Sequence, residues 1–408
     1  MIGNPVRVLS VIVTAVLVLA GAATQSARPI LLLISLDGFR WDYLDRADVP
    51  NLRALAAAGV RAEALIPAFP SETFPNHYTI VTGLYPEHHG IVSNTIVDRT
   101  IGPERFTMSA ATARDPHWWG GEPLWVTAIR QGRRASTMFW PGSEVTFGGV
   151  RPTDWTPFDD AFSNGDRVKR VLTWLARPER PALSTIYFSE VDRAGHDFGP
   201  ESPEVLAAAG RLDDVLGALV AGVGQLGLTD RTSYVIVSDH GMSQQAADRI
   251  VFLDDHIDLA AIDVVEWSPV LQVLPRSGSA EDVYRALKDK HPALAVYKRE
   301  ELPAHLHYRS HPRIPPIVGL ADDGWTITSR QRDRTRSERR RTGGDHGYDP
   351  SYRSMHGLFV ASGPMFRRGA VVPAFENVHL YDVMCRALGL TPAQNDGDPA
   401  LASRFLSR

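Results

Sequence analysis

At 408 residues, 44% of them hydrophobic and with no long low-complexity tract, the chain can bury a sizeable core, which excludes a disordered or fibrous protein. A formal net charge of −4 gives no case for a nucleic-acid partner or for attraction to an acidic membrane surface. The single cysteine, Cys385, excludes an internal disulfide, so a large core or bound metal must supply stability.

Taken in chain order, the first element is a leader. Arg7 precedes an apolar stretch at residues 8–19, and the small residues Ala20, Gly21 and Ala22 follow. A basic start, a short apolar core and a small-residue cleavage site predict a signal peptide over residues 1–22. The alternative is a retained anchor, but the apolar core is shorter than the ~20 residues a spanning helix needs. Cleavage near Ala22 leaves no membrane span and places the mature chain outside the cytoplasm, secreted or periplasmic.

The run ILLLISL at residues 30–36 is continuously apolar and ends at Asp37, as expected of a strand buried on both faces. Helical periodicity follows at 52–58. Residues 184–188 (STIYF) read as a second strand and 202–226 as an Ala/Leu/Val-rich helix. Residues 234–238 (YVIVS) and 358–361 (LFVA) read as two further core strands, and 381–388 as a helix that buries Cys385 as an inert thiol. Strand–helix alternation of this kind predicts an α/β fold, a mostly parallel central sheet covered by helices on both faces. Ligands of such sheets bind beyond the carboxyl ends of the strands. Asp37, Asp192 and Asp239 each follow a core strand, so three carboxylates converge on one edge.

Imidazoles accompany them. Asp192 and His196 stand four apart, Asp239 and His240 are adjacent, and His346 lies in the flexible loop GGDHG. Singly these are weak signals; Asp37-Gly38, for instance, reads as well as a turn. Together, three Asp and three His form the donor mixture zinc accepts, and anions crowded at a sheet edge call for divalent cations. Two such cations form a clamp for in-line phosphoryl displacement.

The segment PSETFPNHY at 70–78 leads into a helix with Pro75 in its first turn, putting Thr73 at or near the N-cap. Thr73 is then either a cap or a hydroxyl poised where helix amides favour an anion. Position alone leaves both readings open.

The stretches SLDGFR, PSETFPNHYTIVTGLYPEHHGIVSN, GEPLW, FWPGSE, YFSEVDRAGHDFGP, VSDHGM and GDHGYDP, running in order from residue 30 to about 366, resemble the nucleotide pyrophosphatase/phosphodiesterase family of the alkaline phosphatase superfamily. The resemblance implies an alkaline-phosphatase-like fold, residues 29–408 being a single phosphodiesterase catalytic domain with insertions. It implies two Zn²⁺, one held by Asp192, His196 and His346, the other by Asp37, Asp239, His240 and the Thr73 oxygen. Thr73 would attack phosphorus and form a covalent phospho-threonine that water then hydrolyses. Asn94 would bind a non-bridging phosphate oxygen alongside the Phe74 backbone N–H. Being neutral, it suits a singly charged diester.

By the same resemblance Phe74 and Tyr187 stack a nucleobase, and Phe158 stands where relatives carry tyrosine. Residues 121–140 match an insertion loop kept by nucleotide-cleaving members. The implied partners are small-molecule nucleotides, cleaved at phosphodiester and phosphoanhydride bonds to nucleoside monophosphates, with no stable nucleic-acid partner and no oligomeric state assigned. A lysophospholipid or phosphoglycerol phosphodiesterase on the same fold is the alternative, and a non-catalytic zinc-binding protein a third reading. His77, His88, His89, His305, His307 and His356 fall outside the implied ligand set. Residues 330–341 hold seven arginines against Asp333 and Glu338. They read as a solvated loop or as attraction for polyanionic substrate.

Overall fold

The apolar run at Ile30–Leu36 forms strand β1, buried along its whole length. Its alternate residues face opposite ways: Leu31 and Leu33 enter one hydrophobic core, while Ile30, Leu32, Ile34 and Leu36 enter another. A computed structural model describes residues 28–109 and 111–407, so the signal segment expected at 1–22 lies outside the described residues.

The other strands of this sheet are β2 (Val60–Ala62), β3 (Ala135–Met138), β4 (Asp154–Thr156), β5 (Leu183–Phe188), β6 (Thr232–Val237), β7 (Phe359–Ser362) and β8 (Ala370–Val372). They lie in the order β8-β2-β7-β6-β1-β5-β3-β4. Neighbours pair in parallel except β7, which runs antiparallel to both β2 and β6. The 358–361 strand thus exists, shifted by one residue and reversed. Helices α1 (Pro50–Ala58), α2 (Thr73–Thr82), α3 (Leu124–Arg130), α4 (Asn164–Leu175), α5 (Glu190–Phe198), α6 (Pro203–Gln225) and α7 (Leu380–Ala387) follow. Helices α2, α3 and α7 pack on the Leu31/Leu33 face, and α1, α4 and α6 on the other. The mixed α/β, mostly parallel architecture is the one expected.

Three features differ from expectation. Residues 121–140, expected as an insertion loop, supply α3 and β3, and β3 pairs with β5 inside the central sheet. A separate four-stranded antiparallel sheet (Ile262–Glu266, Val270–Pro275, Leu294–Lys298, Ile317–Ala321) carries its own core. The arginine-rich segment folds into two short helices, Arg330–Thr335 and Glu338–Thr342. Cys385 is buried in α7, where burial pushes its thiol up to about 12, as suits an inert side chain.

Candidate active site

Because β1, β5 and β6 are parallel neighbours, their carboxyl ends open at one edge. Asp37 follows β1 directly, Asp239 stands two residues beyond β6, and α5 begins just after β5. Helix α5 puts Asp192 and His196 on one face, one turn apart. Two close approaches bring these segments together. Gly38 has φ +66, and a Cβ there would meet the Asp192 Cα at 2.7 Å. A Cβ on Gly343 would meet the His196 carbonyl oxygen at 2.0 Å, so only glycine lets the His346 loop lie on α5.

The six expected side chains meet at this edge in overlapping groups whose donor atoms lie within 4.8 Å of one another: Asp192, His196 and His346; Asp37, Asp192 and His240; and Asp37, His77 and Asp239. Each imidazole of the implied ligand set is oriented from behind. His196 Nδ1 donates to the Gly344 carbonyl at 2.9 Å, His346 Nδ1 to that of Ser71 at 2.9 Å, and His240 Nδ1 to that of Gly241 at 2.8 Å. Every Nε2 lone pair therefore faces the carboxylates. His240 Nε2 lies 3.1 Å from Asp239 Oδ2 and 3.5 Å from Asp37 Oδ1. Asp192 Oδ1 lies 3.5 Å from His196 Nε2 and 3.6 Å from His346 Nε2.

Those same three oxygens, Asp37 Oδ1, Asp192 Oδ1 and Asp239 Oδ2, are buried and accept no hydrogen bond. Their carboxylate partners are held: Asp37 Oδ2 accepts from the Tyr187 hydroxyl at 2.5 Å, and Asp239 Oδ1 from the Gly38 N–H at 3.3 Å. Acceptor facing acceptor in a buried cluster is repulsive unless a cation lies between them. Burial, then the Asp239 and Asp192 carboxylates, pushes Asp37 well above the usual carboxylate range. Burial, then the His240 and His196 rings, holds His346 well below the usual imidazole value, so it is neutral. Imidazoles and crowded carboxylates are the donor set of a divalent metal centre, and the residues fit one.

Thr73 is the first residue of α2; the N-cap is Glu72, and no side chain caps this helix. The hydroxyl thus does not serve the helix amides. It lies 3.3 Å from His240 Nε2, at the metal-ligand cluster. Asn94 Oδ1 accepts from the Phe74 N–H at 3.0 Å, so that N–H, expected beside Asn94 on the phosphate, is engaged by Asn94 itself, and Asn94 Nδ2 is the donor left to offer an anion.

A cavity of about 390 Å³ opens beside Thr73 and is lined by Phe74, Phe139, Phe158, Tyr187 and Asp192 among others. The three expected aromatic residues all border it. Phe158 is 48% exposed and meets Tyr187 at 6.4 Å between centroids, inclined by 63°, so a flat ring could lie on either face but not in a parallel sandwich.

Several contributors escape a sequence reading. Buried Glu72, whose carboxyl is pushed to about 8 by burial and then by Glu266, accepts from the Asn94 N–H at 2.6 Å and Ser93 Oγ at 2.9 Å. It fixes Asn94, and its adjacency to Thr73 is the only signal. Glu144, in FWPGSE, accepts from the Phe158 N–H at 2.8 Å and anchors that ring's loop. Arg193, between Asp192 and His196, pairs with Asp160 at 2.7 Å, and both line the cavity. His77, outside the implied ligand set, is fully buried, bonds the Thr73 carbonyl and Ser35 Oγ, and stands 3.3 Å from Asp239. His305 bonds Asp349 while His307 stacks on Tyr85, so that pair forms no chelate.

The family model for type I phosphodiesterase / nucleotide pyrophosphatase matches residues 31–349. A mouse bis(5'-adenosyl)-triphosphatase is 38% identical over 381 residues, covering 92% of this chain and 81% of the relative. Human ectonucleotide pyrophosphatase/phosphodiesterase family member 5 is 35% identical over 368 residues, covering 90% and 76%. A rattlesnake (Crotalus durissus collilineatus) venom phosphodiesterase is 38% identical over 380 residues, covering 90% of this chain and 45% of its own length. The solved structure of an inactive threonine-to-alanine variant of murine ectonucleotide pyrophosphatase/phosphodiesterase 5, in complex with AMP, superposes with a TM-score of 0.87 at 33% identity, covering 93% of this chain and 100% of that one.

Proposed function

This chain belongs to the type I phosphodiesterase / nucleotide pyrophosphatase family, and from that premise we propose that it is a two-zinc hydrolase cleaving phosphodiester and phosphoanhydride bonds of small nucleotides to nucleoside monophosphates, with Thr73 as covalent nucleophile. The observation that carries the reading is the convergence of three buried, donor-less carboxylate oxygens with three imidazoles whose Nε2 atoms face them, beside the Thr73 hydroxyl. Asp192, His196 and His346 would hold one cation; Asp37, Asp239, His240 and the Thr73 oxygen would hold the other. Bound there, the pair supplies Lewis-acid stabilisation to the attacking and leaving oxygens of an in-line displacement.

The chain's own residues do the rest. Thr73 Oγ1 attacks phosphorus as the bond to the leaving oxygen breaks, so the nucleoside phosphoryl group passes to Thr73. Water then attacks the same phosphorus, the Thr73 oxygen leaves, and the nucleoside monophosphate is released. Asn94 Nδ2 donates to a non-bridging oxygen, its carboxamide steadied by Phe74 N–H and its backbone by Glu72. Phe74, Phe158 and Tyr187 border the cavity where a base would lie, while Tyr187 also steadies Asp37. The murine relative's AMP complex and its inactivation by a threonine-to-alanine change support both the nucleotide and the nucleophile. The relatives include proteins named as ectoenzymes and venom enzymes. They support reading the mature protein as secreted; residues 1–22 as a signal peptide, 29–408 as a single catalytic domain and the periplasm as the alternative location belong to the same proposal. No helix among the described residues is long and apolar enough to cross a membrane.

Phe158 is the clean probe of nucleotide preference, since it is half-exposed, its ring meets Phe139 and Tyr187, and its N–H bonds Glu144. Phe158→Ala should raise KM for a dinucleoside polyphosphate about tenfold, the worth of one base–aromatic stack. Turnover of methyl para-nitrophenyl phosphate, which carries no base, should change far less. Equal losses on both substrates would make the ring a packing residue and favour a lipid or general diester.

A further inference from the structure

The opposite edge of the same sheet holds a second charged concavity. Four adjacent parallel strands, in the spatial order β6, β1, β5, β3, are each entered past an arginine. Arg231 and Arg134 immediately precede β6 and β3, Arg28 stands two residues before β1, and Arg180 three before β5. Ile30 lies across from Thr232, and Leu183 across from both Leu31 and Ala135, so the strand starts are level. With strands about 4.8 Å apart, the arginines form one rim. Together with Arg133 they line a cavity of about 530 Å³ whose only carboxylate, among the described residues, is Glu179.

The contacts position these guanidinium groups without neutralising them. Arg231 Nη2 donates to the Arg28 carbonyl at 2.9 Å, Arg133 Nη2 to that of Leu388 at 3.0 Å, and Arg180 Nε to that of Arg177 at 3.2 Å. Arg134 alone meets a carboxylate, Glu179, at 3.0 Å, and that side chain is 73% exposed. The Nε atoms of Arg134 and Arg231 are buried and find no acceptor. Burial and then the neighbouring Arg28 depress the pKa of Arg133, and burial and then Arg180 depress that of Arg231, so the cations repel one another. Five arginines line one cavity against a single carboxylate, a balance of charge that a multiply charged anion would relieve.

We propose that this cleft binds a multiply charged phosphoryl group through the guanidinium groups of Arg28, Arg133, Arg134, Arg180 and Arg231, on the edge of the sheet opposite Thr73. Planar guanidinium forks match phosphoryl oxygens, and the volume falls within the range of small-ligand sites. Strand β1 spans seven residues, roughly 20 Å. A phosphate held here is therefore out of reach of Thr73, and the cleft is a binding site separate from the catalytic one. The same chemistry could come from a free polyphosphate or from an anionic phospholipid headgroup.

Calorimetric titration with inorganic tripolyphosphate, and co-sedimentation with vesicles containing phosphatidic acid, whose phosphomonoester is multiply charged, distinguish the sources. Both are run on the wild type, Thr73→Ala and Arg180→Gln/Arg231→Gln, with metal content measured after titration. The expected result is a tripolyphosphate binding event that Thr73→Ala retains and that the double arginine variant weakens at least tenfold. Hydrolysis of methyl para-nitrophenyl phosphate by that variant should match the wild type, showing that it is folded. Arginine-dependent sedimentation with vesicles, without such a titration event, would identify the headgroup as the source. Arg180→Gln alone removes a guanidinium that, among the described residues, bonds a carbonyl three residues away, and gives the same reading should the double variant fail to fold. Folded arginine variants indistinguishable from wild type in both assays would overturn the proposal.

Discussion

The segment at 330–341 carries seven arginines, while the sheet edge gathers its three aspartates and three histidines from positions scattered between Asp37 and His346. As a string of letters the first is the more conspicuous. Folded, four of its arginines have local partners: Arg330 bonds Asp255 through both Nε and Nη2, Arg341 pairs with Asp333 at 2.9 Å, and Arg332 and Arg339 lie over the rings of Trp267 and Phe198. Asp333 Oδ1 and Arg341 Nε are also buried without a hydrogen-bond partner, but these two side chains carry opposite charges and meet each other; at the sheet edge the partnerless oxygens belong to three like-charged aspartates. A dense run of charge that can pair or reach water needs nothing further; sparse charge that is buried and unpaired needs a ligand.

The sharpest way to break this contrast is Thr73→Ala. If the unpaired cluster exists to activate that hydroxyl, turnover should fall on the order of 10³-fold or more, as when other enzymes lose their nucleophile. Elemental analysis should still find most of the metal, because every carboxylate and imidazole remains. Thr73→Ser should keep measurable activity. Normal turnover by the alanine variant would reduce Thr73 to an ordinary first-turn residue.

Next in size is the comparison of His346→Ala with His356→Ala. His346 Nε2 faces Asp192, whereas His356 Nε2 bonds the Pro350 carbonyl away from the cluster. The first change should lower metal affinity and kcat by about 100-fold or more, beyond the range for groups that merely support a ligand. The second should have little effect on either. Equal losses would mean the ligands are wrongly assigned.

The smallest effect belongs to the arginines. Replacing Arg339, Arg340 and Arg341 by glutamine should change kcat/KM for a polyanionic nucleotide less than about twofold at low salt, with the salt dependence intact. A large, salt-sensitive loss would restore the electrostatic-attraction reading of this segment.

Legibility followed locality. The buried strand at Ile30–Leu36 and the turn-spaced pair Asp192 and His196 are written in adjacent residues, and both fold as read. Strand β3, with the small and polar residues ASTM, is buried but carries no apolar run, so its place in the central sheet was hidden. The reversal of β7 and the separate antiparallel sheet depend on pairings between distant segments. Thr73 was placed at the helix start, but whether its oxygen caps the helix or faces His240 is a question of rotamer and neighbour. Glu72 and Glu144 act through bonds to the backbone N–H groups of Asn94 and Phe158, 22 and 14 positions away, which no local pattern records.

The central claim is that two cations complete the cluster around Thr73, and metal stoichiometry coupled to activity tests it most directly. Elemental analysis of the purified protein should find two zinc ions per chain, exhaustive chelation should abolish hydrolysis of a nucleotide diester, and added Zn²⁺ should restore it. Full turnover by protein shown to be metal-free would contradict the account.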